Sequence, residues 1–412
     1  MYANIRNILM SMSKIPYLRI GTSYYKVVQV PTLHDQFNES LVKWDITTII
    51  QDHGRPYLSD IPKYDGSICF PNHINFTKEK HGFYNTYSPI DHKPKEGDIK
   101  NTLKFFKHIF GRQIEIGLDY FKVLYVLPTQ ILPVLCLVSK ERSTGKSTFL
   151  KYLKEVFGHN MTYLDSHSLN SNFNLDWGNK LLMGMDEAFL QKEEITEKIK
   201  YLSTTNKNKI EAKGKERFEV DFFGKFIMCS NKEDSFIKID SDETRFWVIK
   251  VPTLSFDDVA FLDKLIKEIP AFLNYTLQRK FTYERKTRMW FTPEQIRTTA
   301  LIKLVNNNRN RVQKEIAHLL FSVMEKFDLD EINFSIMDLL YNLNKTRIKT
   351  DITQLRNLLQ NDWKIERKNN SFAYSKFTIL SDGEIILIDS KGRYFTVTKS
   401  FLLKNFDDLM TE

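Results

Sequence analysis

The chain has 412 residues, with 60 Lys+Arg against 51 Asp+Glu, a formal net charge of +9, and 42% hydrophobic and 13% aromatic residues. With only 15 Gly and 12 Pro, this composition excludes disordered, collagen-like and low-complexity classes and leaves room for about two to four domains. Three widely spaced cysteines, Cys69, Cys136 and Cys229, form no CxxC pair, which excludes a disulfide framework or a cysteine zinc site and fits a reducing cytosol.

Residues 1–98 mix short β-branched or aromatic runs (Tyr24 to Val30, Ile46 to Ile50, Ser67 to Phe70) with Pro-containing turns. They predict a small α+β N-terminal module, closed by the polar, turn-rich stretch from Tyr87 to Asp98. Residues 99–275 open with helical spacing from Ile99 to Leu127, stopped by Pro128. Predicted strands at Val134 to Val138, Leu181 to Met185, Lys225 to Cys229 and Phe246 to Val251 then alternate with helices at Ser147 to Val156 and Glu193 to Leu202. This is the pattern of a three-layer α/β domain. Residues 276–330 read as a basic helical connector: between 276 and 311, nine Lys/Arg stand against two Glu, with Phe281, Tyr283, Trp290 and Phe291 interleaved. Residues 331–412 predict a helix at Ile336 to Leu343, another at Ile352 to Leu359, and a hairpin of Lys364 to Arg367 with Phe372 to Leu380 about Asn369-Asn370. That order is winged-helix-like. The longest apolar stretch is interrupted by Pro128, Thr129, Gln130 and Pro133, so no membrane span is expected. The N-terminus has no continuous apolar h-region or cleavage site, so no signal peptide is expected either.

The strand Val134 to Val138 runs into Ser139-Lys140-Glu141-Arg142-Ser143-Thr144-Gly145-Lys146-Ser147-Thr148 and then a helix, the setting of a Walker A loop. Gly145 lets backbone approach a phosphate, and the N–H groups at the helix start, from Ser143 through Thr148, cradle its charge. Lys146 reaches the β- and γ-phosphates of ATP, and the Ser147 hydroxyl can ligate Mg²⁺. Lys140 stands where the motif has its first glycine. Farther along, Leu181 to Met185 ends in Asp186-Glu187, a Walker B arrangement in which Asp186 serves Mg²⁺ and Glu187 the attacking water. The strand Phe226 to Cys229 ends in Ser230-Asn231, which places a neutral amide at the same sheet edge. Arg245, just before the last strand, is either an exposed loop arginine paired with Glu243 or an arginine finger acting across a subunit boundary. Such a finger is worth about 10³–10⁵ in rate. Ile210 and Ala212, Phe218 and Val220 alternate around Lys213-Gly214-Lys215, predicting a β-hairpin with a basic tip.

In the order and spacing of these motifs, residues 100–255 resemble the superfamily-three helicase core of primase-helicase proteins from phages and mobile elements. The resemblance rests on Ser139 to Thr148, Met185-Asp186-Glu187, Ile210 to Gly214, Met228 to Asp234 and Glu243 to Trp247. It implies a P-loop AAA+ ring, a homo-oligomer and in that family a hexamer, that hydrolyses ATP with Mg²⁺ at subunit interfaces and translocates on single-stranded or forked DNA. Carried over, Lys146, Ser147, Asp186, Glu187 and Asn231 form the cis site, Arg245 acts in trans, and Lys213 and Lys215 contact DNA. It also implies a bacterial cytoplasm, phage encoding and a separate primase or polymerase as partner, because no polymerase carboxylate constellation is visible here. The rival readings are an ATP-controlled initiator or loader that does not translocate, which has no need of a basic hairpin tip, and a relict nucleotide site, against which Asp186 and Glu187 both speak.

Overall fold

The computed structural model describes residues 15–31, 37–171, 174–190, 192–211, 217–239, 243–255, 258–346, 348 and 350–406. These form two compact units, one from the described parts of 1–237 and 244–301, the other from those of 238–243 and 302–412.

In the first unit, Phe37–Trp44, Ser23–Pro31, Tyr17–Ile20 and Lys63–Tyr64 make a four-stranded sheet in that order. The β-branched run Ile46 to Ile50, grouped above with strand-like segments, lies in a helix, Ile46–His53. Local chemistry outweighs β propensity there: Asp45 Oδ1 accepts from Thr47 N at 2.7 Å, an N-cap worth about 1 kcal/mol. Ile49 meanwhile becomes fully buried with Tyr17 and Ile61. The polar stretch after Tyr87 is pinned against the α/β core: Ser88 N donates to Asn160 Oδ1 at 3.1 Å and Lys95 N to Pro270 O at 3.0 Å.

The helical run predicted from Ile99 resolves into α1 (Lys100–Phe110) and α2 (Ile114–Val126), parted at Gly111. Five strands follow: β1 (Val134–Val138), β2 (Met161–Tyr163), β3 (Leu182–Met185), β4 (Lys225–Ser230) and β5 (Phe246–Lys250). With them come α3 (Lys146–Phe157), α4 (Glu193–Leu202) and α5 (Phe261–Gln278). The sheet order is β5-β1-β4-β3-β2, and every pair is parallel. The strands β1, β3 and β4 are buried along their whole length, as a parallel sheet covered on both faces requires. Because all run one way, the chain leaves β1, β3 and β4 at a single edge, the place where ligands of open α/β sheets bind. The buried Glu268 of α5 caps α1, accepting from Thr102 N at 2.7 Å and Asn101 N at 3.2 Å. That bond fixes the helix whose other end supports the loop described below.

The second unit pairs Glu331–Phe334 with Phe395–Thr398, and Phe372–Ile379 with Ile385–Gly392, both antiparallel. Helices Ile336–Lys345 and Ile352–Asn357 supply Leu339, Leu343 and Leu355 to its core. The hairpin predicted about Asn369-Asn370 is therefore incorrect: 364–367 is no strand, and Phe372–Ile379 turns back through Ser381-Asp382-Gly383. Gly383, at φ +88°, takes a left-handed conformation that the residues of an Asn-Asn pair adopt less readily.

Candidate active site

The loop after β1 is shaped by backbone that leaves the ordinary regions. Ser143 has φ +53° and Gly145 φ +85°, so the chain reverses and enters α3 with Gly145 as its N-cap. Neighbouring elements hold that shape. Ser139 N donates to Ser230 O at 3.1 Å and Leu254 N to Ser143 O at 3.0 Å, while His108 Nε2 of α1 lies 3.0 Å from Thr144 O. A Cβ on Gly145 would stand 3.1 Å from the Phe105 ring. Ser143 and Ser147 are exposed, Thr148 half-buried and Thr144 buried.

Lys146 is only 6% exposed, and its Nζ donates to Thr144 Oγ1 at 3.0 Å. Burial lowers its pKa, opposed by the negative side of the site, Asp186 and Glu141 included. Among the described residues it forms no ion pair within 4.0 Å. A buried ammonium beside the N–H groups of a helix start is suited to receive an anion.

The chain leaves β3 into Asp186 and Glu187, both exposed. Glu187 has φ +56°, a left-handed conformation that a Glu adopts at a cost of order 1–3 kcal/mol and that collects at functional sites. The turn is tied to β4: Ala188 N donates to Cys229 O at 2.7 Å and Ser230 Oγ to Ala188 O at 2.7 Å. Asn231 follows β4 directly and is exposed. Topology thus brings Lys146, Ser147, Asp186, Glu187 and Asn231 to one sheet edge. No group of three or more His, Cys, Asp or Glu able to hold a metal occurs among the described residues.

Arg245 is not with them. Its carbonyl accepts from Val134 N at 2.8 Å, which places it where β1 and β5 begin, at the opposite edge of the sheet. Strands Lys207–Ile210 and Phe218–Asp221 pair antiparallel, Ile210 facing Phe218, as the alternation predicts. Asn174 holds the first strand where it approaches the tip, its Oδ1 accepting from Glu211 N at 2.9 Å and its Nδ2 donating to Lys209 O at 2.9 Å. The tip, with Lys213 and Lys215, lies outside the described residues.

Sequence reasoning missed the strained Glu187, the bracing of the loop by Phe105 and His108, and Lys250, whose Nζ lies 3.0 Å from the buried Glu233. No local signal marks these, since each depends on how distant elements pack.

Residues 137–245 match a family described as a family of unknown function (DUF5906). No curated protein matches the chain. Among solved structures, the apo C-terminal region of NrS-1 (305–718) superposes with a TM-score of 0.57 at 13% identity, covering 92% of this chain and 95% of that one. A second apo structure of the NrS-1 C-terminal region, the A form, gives 0.56 at 14% identity, with 92% and 95% covered. The chain therefore shares the fold of that region along nearly its whole length. A crystal structure of JCV helicase with a bound acetamide compound reaches 0.30 at 15% identity, over 56% of this chain and 65% of that one, too weak a match to bear on the fold. No helix among the described residues is long and apolar enough to cross a membrane.

Proposed function

We propose that the chain is an ATP-dependent DNA helicase of the AAA+ superfamily-three type, whose subunits assemble into a hexameric ring. The observation that supports this most is the convergence, at one edge of a parallel sheet, of a phosphate-type loop carrying the buried Lys146 with Asp186, Glu187 and Asn231. Backbone N–H groups from Ser143 to Thr148 and the Lys146 ammonium hold the triphosphate. Ser147 and Asp186 would hold Mg²⁺, which when bound would neutralise phosphate charge. Glu187 orients the attacking water, Asn231 fixes it without adding charge, and Arg245 of one subunit completes the site of its neighbour. Lys213 and Lys215 at the hairpin tip meet DNA, and the C-terminal unit is winged-helix-like. Electron micrographs of the protein with DNA and a slowly hydrolysed ATP analogue test the reading. Six-membered rings around the strand are expected; monomers or open assemblies that bind nucleotide and DNA without ring closure favour the initiator or loader instead.

A further inference from the structure

In the sheet order β5-β1-β4, the loop strand β1 lies between two strands that do not touch each other. Their ends are joined above it. Lys250, the last residue of β5, stands opposite Val138, the last of β1. Its Nζ reaches over the start of the loop to Glu233 Oε2 at 3.0 Å, and Glu233 belongs to the segment that leaves β4 through Asn231. The Lys250 side chain is 49% exposed and that of Glu233 only 3%, so the carboxylate is the buried member. A second tie runs beside it. Lys140, standing where a Walker A loop has its first glycine, places Nζ 3.5 Å from Asp234. Beneath both, Ser139 Oγ donates to Glu141 Oε2 at 2.6 Å, and that bond, with a further pull from Lys250, lowers the Glu141 pKa.

We propose that Lys250 is a positioning residue: with Glu233 it forms a charged clasp over β1 that sets the Asn231 segment against the phosphate loop. The inference rests on the nucleotide-hydrolysing reading given above. Removing Lys250 takes away the cation that faces the Oε2 of a buried carboxylate, a larger change than losing one member of a fully exposed pair. The Lys140–Asp234 tie is on the surface and contributes less. It also gives the substituted glycine position a role, because an ammonium there braces the same segment. Asn231 sits two residues before Glu233, so a lost clasp moves the amide rather than the phosphate cradle. A displacement of about 1 Å in such a group costs up to about a hundredfold in rate. Binding, which depends on Lys146 and the helix start, stays.

The test compares wild type, Lys250→Met, Glu233→Gln, the double variant and Lys250→Arg in the full chain. Phosphate release gives kcat, and titration with a fluorescent ATP analogue gives Kd. Each single neutral variant is expected to lose about tenfold to a hundredfold in kcat with Kd within about threefold. The double variant should lose no more than the worse single, because both remove one interaction, and Lys250→Arg should recover most of the rate. If Lys250→Met does not fold, Glu233→Gln, an isosteric change, carries the same kcat-against-Kd expectation. A Kd weakened more than about tenfold by Lys250→Met but untouched by Glu233→Gln would make Lys250 a direct phosphate ligand and overturn the clasp. Additive losses, or unaltered variants, overturn it too. A wild-type chain that hydrolyses no ATP refutes the proposed function itself, whereas an active wild type with unaltered variants refutes only the clasp.

Discussion

Replacing Gly145 by alanine tests whether the observed loop shape is the one that binds phosphate. Gly145 has φ +85°, and an alanine held in a left-handed conformation costs about 1–2 kcal/mol. The new Cβ would stand 3.1 Å from the Phe105 ring. That ring is 1% exposed and wedged against Phe149 and Phe261, with centroids 6.2 and 5.3 Å away, so it has little room to yield. The crowding adds up to about 1 kcal/mol. Together these correspond to roughly tenfold to a hundredfold weaker nucleotide binding, since the strain must be borne each time the loop takes this shape. Gly383→Ala is the matched control: its φ is +88° with nothing within 4 Å of a Cβ, in the other unit. It should lower unfolding stability by about 1–2 kcal/mol and leave nucleotide affinity alone. Titration with a fluorescent ATP analogue, beside urea melts of both variants, reads the difference. Undiminished binding by Gly145→Ala, or equal weakening by Gly383→Ala, would show that this loop shape is not the one that binds phosphate.

Arg245→Ala and Lys146→Ala subunits, each inactive alone, should regain part of the ATPase activity when mixed, because some interfaces pair an intact Lys146 with an intact Arg245. No recovery in demonstrably mixed oligomers would return Arg245 to a loop role. A pH effect is expected from His73, whose Nδ1 lies 2.8 Å from Tyr125 O and whose Nε2 lies 2.6 Å from the Tyr87 hydroxyl. A carbonyl only accepts, so Nδ1 carries a proton, and in the neutral ring Nε2 accepts from the Tyr87 hydroxyl. Burial lowers its pKa from 6.5 to about 4. Between those values the unfolded chain binds the extra proton, so stability should fall as the pH drops through that window, by roughly 2–3 kcal/mol in all. His73→Gln should flatten that slope in urea melts, and an unchanged slope would show that other groups govern it.

The elements legible in the sequence are those whose signals are local. The apolar run Val134–Val138 is recovered residue for residue, as is α4, Glu193–Leu202, whose apolar residues keep helical spacing. The edge strand β2 is three residues long, too short for an alternation to register, and it was not anticipated. Where two local signals compete, cap and turn chemistry decides the outcome: the β-branched run after Asp45 is a helix because that side chain caps it, and Gly383 draws the C-terminal hairpin away from Asn369-Asn370. The site was readable as a set of strand ends because loop, acidic pair and amide each follow an apolar run. What brings them together is strand order. The clasp of Lys250 on Glu233, seventeen positions apart by their numbers, crosses β1 because that strand is inserted between β5 and β4.

Whether this sheet edge hydrolyses ATP in response to DNA is read from phosphate release by wild type, Lys146→Ala and Glu187→Gln, with and without single-stranded DNA. Wild type should turn over ATP, and DNA should stimulate it. Lys146→Ala should lose turnover together with tight nucleotide binding, since it deletes a phosphate contact. Glu187→Gln should keep Mg·ATP binding and stall, since it removes only the carboxylate that orients water. Undiminished turnover in either variant would contradict the assignment of the site.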